Sequence, residues 1–142
     1  MVTDLTLPEI ESVYSALVIE DNEEISYLIR HLLERERFAV HTVPNGRDAA
    51  NFISESPPTD VIITDLMLPY VDGFELISQV RENVRWRSVP VIVLSGKVTE
   101  RDVVRAFDLG ANDYLAKPYK PMEFLARVKR LASAGRGDRI LS

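Results

Sequence analysis

Five short apolar runs alternate with five amphipathic helical patterns along this chain, and that alternation restricts the fold more than any other feature. Ser15 to Glu20 (SALVIE) reads as a buried strand. Ile25, Leu28, Ile29, Leu32 and Leu33 then recur at helical spacing, and Glu23 and Glu24 sit in the first turn, where negative charge suits the helix dipole. Phe38 to Val43 is a less hydrophobic strand, suited to a sheet edge, and Ala49, Phe52 and Ile53 mark a short helix that ends before Pro57-Pro58. Val61 to Asp65 (VIITD) is apolar enough for burial on both faces. Phe74, Ile77, Val80 and Val84 form the next helical stripe, followed by a fourth strand over Val89 to Ser95. Val103, Ala106 and Phe107 belong to a fourth helix that Gly110 ends. Tyr114 to Ala116 is a short fifth strand, and Leu125, Val128 and Leu131 give a fifth helix with Pro121 near its first turn.

A (βα)5 order predicts an α/β domain with a doubly wound, five-stranded parallel sheet and helices on both faces. Right-handed crossovers leave few ways to thread it. In such open sheets binding and chemistry collect at the carboxyl ends of the strands, so the residues ending each strand are the ones to inspect. The 142 residues suit one domain. Residues 1–13 read as an N-terminal extension, 14–133 as the domain, and 134–142 (AGRGDRILS) as a flexible tail or linker.

Composition narrows the class. A net charge of −5 predicts no direct nucleic-acid binding by this chain, and the basic end carrying Arg127, Lys129, Arg130, Arg136 and Arg139 reads as a solvated helix face. With no cysteine there is no disulfide framework or thiol chemistry, which fits a reducing compartment. No secretion signal or membrane-spanning run is visible, so the expected location is the cytoplasm, with no membrane contact.

Strand one ends in Glu20-Asp21, strand three in Asp65 and strand four in Ser95, and strand five runs into Lys117-Pro118. A parallel sheet gathers all of these at one rim. Three carboxylates so close repel, and one takes up a proton unless a cation intervenes. A hard divalent ion with oxygen ligands is the natural solution, and Mg2+ typically uses one or two carboxylates with phosphate oxygens and waters. Lysine, hydroxyl and metal around one carboxylate are the parts wanted for phosphoryl transfer to an aspartate nucleophile. Taken singly, each residue has a plainer role: a strand-end Asp caps a turn, Ser95-Gly96 turns the chain, Lys117 is a surface charge and Pro118 stops a strand. The set is harder to dismiss, because five separate accidents would have to converge on one rim.

Four segments in order, Leu-Val-Ile-Glu-Asp-Asn-Glu (17–23), Thr-Asp-Leu-Met-Leu-Pro-Tyr-Val-Asp-Gly (64–73), Pro-Val-Ile-Val-Leu-Ser-Gly (90–96) and Gly-Ala-Asn-Asp-Tyr-Leu-Ala-Lys-Pro (110–118), resemble the receiver domain of two-component response regulators across residues 14–133. The resemblance implies a flavodoxin-like sheet of strand order 2-1-3-4-5. It implies Asp65 as phosphoacceptor, taking its phosphoryl group from a sensor histidine kinase or phosphotransfer protein. It implies a Mg2+ site in which Asp21 is a direct ligand, Glu20 acts through water, and Asp65 and the Met67 backbone carbonyl complete the protein ligands. Ser95 corresponds to the hydroxyl that hydrogen-bonds the phosphoryl group, Lys117 to the lysine that binds it, and the Lys117-Pro118 bond would be cis. Ser95 and Tyr114 would form the switch, altering the face of helix four, strand five and helix five. Such a protein is a signalling switch that catalyses only its own phosphorylation and dephosphorylation.

The chain departs from the family pattern at three places. Glu20 stands where an Asp is commoner, Tyr70 stands where a small or polar residue is common, and Lys97, two residues past Ser95, occupies a variable position. Three other classes compete with the switch. An interaction domain that has lost phosphorylation conflicts with Asp65, Ser95 and Lys117 all being present. A Mg2+ phosphohydrolase would want a second Asp two residues after the nucleophile, where this chain has Met67. A nucleotide-binding domain would want a glycine-rich loop where Glu20-Asp21-Asn22-Glu23 stands. Asp108, Asp113, Arg127 and Lys129 resemble a salt-bridge set for a homodimer through helix four, strand five and helix five, pairing Asp113 with Arg127 and Asp108 with Lys129 across a two-fold axis.

Overall fold

The structure, a computed structural model, describes residues 13–96 and 99–141, with 138–141 described by backbone alone. Lys97 and nearly all of the N-terminal extension lie outside the described residues. The elements alternate without exception: β1 Tyr14–Ile19, α1 Glu23–Arg35, β2 Phe38–Val43, α2 Gly46–Glu55, β3 Val61–Thr64, α3 Gly73–Glu82, β4 Val91–Ser95, α4 Glu100–Leu109, β5 Asp113–Ala116 and α5 Pro121–Leu141. The five strands form one parallel sheet in the order β2-β1-β3-β4-β5. This is the expected 2-1-3-4-5 arrangement, with the less hydrophobic β2 at an edge and the wholly buried β3 at the centre.

Period-two alternation sorts the strand side chains between two cores. Leu17, Ile19, Ile62, Val91 and Val93 meet Ala49 and Ile53 of α2, Leu76, Ile77 and Val80 of α3, and Ala106 of α4. Ala16, Val18, Val61, Ile63, Ile92 and Leu94 meet Ile29 and Leu33 of α1 and Phe124, Val128, Leu131 and Ala132 of α5. Asn22, Asn45, Asp72 and Thr99 cap the first four helices, each accepting a hydrogen bond from the amide three residues on. Pro121 opens α5, where its missing N–H costs nothing.

Besides Val103 and Phe107 of α4, two stripe residues lie outside the cores. Val84 falls beyond α3 and is 80% exposed, because Asn83 turns the chain, its side chain accepting from the Arg85 and Trp86 amides. Leu28 is on the outer side of α1, where it borders a cavity beside the β5–α5 turn.

The C-terminal segment differs from its expectation more sharply. Residues 134–141 continue α5 as helix instead of forming a loose end. Glycine serves close approach here: a Cβ on Gly135 would overlap Pro90 and the Asp60 carbonyl, so the helix lies directly on the lower rim of the sheet. At the next residue, the Arg136 guanidinium holds the buried Asp60 carboxylate, with Nη2–Oδ2 at 2.8 Å and Nε–Oδ1 at 3.3 Å, and lies 4.7 Å from the Tyr14 ring centre. Asp60 also accepts from the Ser15 amide at 2.8 Å and the Ser15 hydroxyl at 3.3 Å.

Removing the arginine leaves a buried carboxylate short of its charged partner. Arg136→Ala is expected to cost about 1–3 kcal/mol, read by urea unfolding through the fluorescence of the buried Trp86. Gly135→Val is expected to lift the last turns and lower helicity. Wild-type unfolding and helicity in both variants would show that α5 is not clasped there.

Candidate functional site

Parallel pairing sends the ends of β1, β3, β4 and β5 to one rim, and the strand-end residues named from the sequence meet there. The Lys117 ammonium stands between two carboxylates, 3.0 Å from Asp65 Oδ2 and 3.1 Å from Glu20 Oε1. Glu20 Oε2 accepts from the Asn22 amide at 3.1 Å, so the residue that caps α1 through its side chain also orients Glu20 through its backbone. Asp65 Oδ1 accepts from the Leu66 amide at 2.6 Å and the Met67 amide at 3.2 Å. Each carboxylate therefore has one oxygen fixed by backbone and the other on the lysine.

Burial decides the electrostatics. The Glu20 side chain is 4% exposed and that of Asp65 is 13% exposed. Desolvation pushes the Glu20 carboxyl above its ordinary range, against the Asn22 amide and Lys117, which lower it. Burial also works against the charge on Lys117, but hydrogen bonds to Asp65 and Glu20, with their charges, outweigh it and raise its pKa. The lysine is therefore a permanent cation at neutral pH. The Lys117-Pro118 bond is cis.

Asp21 is exposed at the mouth of the cluster. Among the described residues no three acidic, histidine or cysteine side chains already converge as a metal cage. Lys117 supplies the positive charge between Glu20 and Asp65. The donor set nonetheless suits a hard cation, since Glu20, Asp21, Asp65 and the Met67 carbonyl offer only oxygen, two of the carboxylates are fixed, and the third faces solvent.

Ser95 is buried at the end of β4, and its carbonyl accepts from the Lys117 amide at 2.9 Å, which ties the hydroxyl-bearing strand end to the lysine-bearing one. Tyr114 packs its ring against the core on the α2–α4 face. Burial pushes its phenol above the ordinary range, and a side-chain hydrogen bond with Ser95 acts the opposite way. The two residues named as a switch are in direct contact.

Two features were not foreseen from sequence. Lys117 bonds Glu20 as well as Asp65, where the sequence placed it beside the carboxylates without saying which it would bond. Tyr70 stands against Arg47, whose guanidinium carbon lies 4.0 Å from the ring centre. The acidic and basic residues of the expected dimer face are used within the chain: Arg127 pairs with Asp113 at 3.0 Å and Glu123 at 3.1 Å, and Lys129 pairs with Glu36 at 2.8 Å.

Among the described residues no helix is long and apolar enough to cross a membrane. The response regulator receiver domain family matches residues 16–129, nearly the whole sheet and its rim. The transcriptional regulatory protein SrrA of Staphylococcus aureus is 36% identical over 115 residues, which are 81% of this chain and 46% of that protein, so the chain spans less than half the length of this relative. The receiver domain of a Syntrophus aciditrophicus signal transduction histidine kinase superposes with a TM-score of 0.79 at 35% identity, covering 85% of this chain and 91% of that one. The receiver domain of a Pseudomonas aeruginosa sensor histidine kinase, with a magnesium ion coordinated in its active-site cleft, superposes with a TM-score of 0.77 at 29% identity, covering 84% of this chain and 98% of that one. Sheet order, rim chemistry and these matches agree, and the chain belongs to the response regulator receiver domain family.

Proposed function

We propose that this domain is a cytoplasmic phosphorylation switch, spanning residues 14–133, in which Asp65 takes a phosphoryl group from a sensor histidine kinase or phosphotransfer protein. The observation that carries the reading is the Lys117 ammonium poised between Asp65 and Glu20. Asp65 Oδ1 is occupied by two amides, so Oδ2 is the oxygen that attacks phosphorus. As the new O–P bond forms, the donor N–P bond breaks, its electron pair stays on the donor imidazole, and Lys117 follows the negative charge to the phosphoryl oxygens. Glu20, Asp21, Asp65 and the Met67 carbonyl are the residues that would hold Mg2+, which when bound would neutralise charge on the transferring group. An apolar cavity of about 290 Å³ lined by Ile25, Leu28, Leu32, Tyr119 and Pro121 adjoins Lys117, and it suits a donor that docks along α1.

The output step rests on the Ser95 hydroxyl. A hydroxyl drawn to the phosphoryl oxygen moves away from Tyr114, and phosphorylation frees the tyrosine to repack. The face over α4, β5 and α5 changes with it. A homodimer through that face would exchange the intramolecular pairs of Arg127 and Lys129 for equivalent intermolecular ones, each worth about 0–1 kcal/mol when exposed, so self-association needs a further contribution. Exposed Val104 and Phe107 on α4 are the apolar groups that could supply it to a copy or another partner.

Incubation with a small phosphodonor and Mg2+ should add one phosphoryl group to the wild type and none to Asp65→Asn, as read by intact mass. Lys117→Met should slow labelling by about 10²-fold. Labelling of Asp65→Asn would remove the assignment. For the metal, calorimetric titration should show Asp21→Ala weakening Mg2+ binding far more than Glu20→Gln, and the reverse order would mean that the ligand roles are exchanged. For the switch, Ser95→Ala should still accept phosphate but lose the change in the Tyr114 resonances. A Tyr114 response identical to wild type would break the proposed coupling.

A further inference from the structure

The loop between β3 and α3 carries both amides that fix Asp65, and it contains the one non-glycine residue near the site with a left-handed backbone among the described residues. Tyr70 has φ 72°, and the Val71 amide donates to the Pro69 carbonyl at 2.9 Å. This is a three-residue γ-turn of the rare, strained hand, and a bulky residue at its centre adds cost. Strain of this kind persists only where the surroundings over-determine it. The surroundings here are the start of α2. The Gly46 amide donates to the same Pro69 carbonyl at 3.2 Å, and a Cβ at Gly46 would overlap the Val71 carbonyl, so only glycine lets the helix come this close. Arg47, the next residue, lays its guanidinium over the Tyr70 ring. At the other end of the loop the Gly73 amide donates to the Leu66 carbonyl at 2.9 Å.

The loop is thus pinned at Leu66 by α3 and at Pro69 and Tyr70 by α2, and Met67 lies between the pins. We propose that Arg47 and Tyr70 form a latch that positions Asp65: by holding the strained turn closed they keep the Leu66 and Met67 amides on Asp65 Oδ1 and leave Oδ2 as the reacting oxygen. Neither residue touches the reacting atoms, so both are positioning residues. This rests on Asp65 being the phosphoacceptor. It also gives Tyr70 a reason to occupy a place where a smaller residue would turn the chain with less strain: the ring is the part that Arg47 holds. With the latch open, the carboxylate loses its fixed orientation and the loop bearing the Met67 carbonyl moves.

Amide hydrogen exchange in the full chain without metal tests the latch independently of phosphorylation. An exposed cation–π contact predicts about two- to fivefold faster exchange at the Leu66 and Met67 amides in Arg47→Ala and in Tyr70→Ala. Tyr70→Phe, which keeps the ring, should exchange like wild type. The double variant Arg47→Ala/Tyr70→Ala should be no faster than either single one, because both break one contact. Labelling by a small phosphodonor should slow in the same order of variants, with the thermal midpoint unchanged. Unaltered exchange in both alanine variants, additive effects in the double variant, or faster exchange with wild-type labelling would each overturn the latch. Labelling of Asp65→Asn would instead overturn the phosphoacceptor reading, and the exchange measurement would then decide the latch by itself.

Discussion

One ammonium group sits where four strands of a parallel sheet deliver their ends. Lys117 contacts Glu20 from β1 and Asp65 from β3, and its own amide is bonded to the Ser95 carbonyl at the end of β4. A buried and a partly buried carboxylate on neighbouring strands would otherwise repel, and desolvation would favour protonating one of them. The lysine offsets both effects, and the rise in its own pKa reflects the two acids as its partners. Such a cluster contributes modestly to stability, because desolving three charges costs about as much as their attraction returns. What the cluster provides is the Asp65 carboxylate in a fixed orientation beside a cation.

The rest of the molecule makes that rim stiff. Two of the loops that contribute to it are tied through backbone groups. Asn22 caps α1 and orients Glu20, and the β3–α3 loop is fastened to α2 and α3. On the flank, Arg81 reaches from α3 to the Gly110 and Val89 carbonyls and the Asn112 side chain, closing the turn that leads into β5. At the opposite pole Asp60 and Arg136 clasp the end of α5 below the sheet. One polar cluster is open to chemistry and the other is locked by packing. The difference lies in their surroundings: Asp60 is closed over by Gly135, Ser15 and Arg136, whereas the Asp65 side chain keeps 13% of its surface exposed.

The periodic features were legible because they are local. Apolar runs and stripes at the 3.6 period are set by the geometry of a single element, and every strand appears within two residues of its reading. The rim residues were legible for a related reason: once five strands are parallel, their carboxyl ends share an edge, so Glu20, Asp65, Ser95 and Lys117 had to come together. Glycine was misread where its role depends on a distant neighbour. Over 134–142 it suggests a loose tail, yet Gly135 is the point at which α5 touches Pro90 and Asp60, residues far away in the chain.

The amino-acid sequence alone therefore determined the layered α/β architecture, the order of its elements and the chemical types gathered at its active rim, since these follow from periodicity, chain length and the chirality of crossovers. Tertiary structure decided which partners those groups choose. Lys117 bridges two acids, Arg127 and Lys129 bind carboxylates of their own chain, and Arg47 covers Tyr70. Charge and ring pairings depend on separations of a few ångströms between residues far apart in sequence, and those distances exist only after the chain has packed.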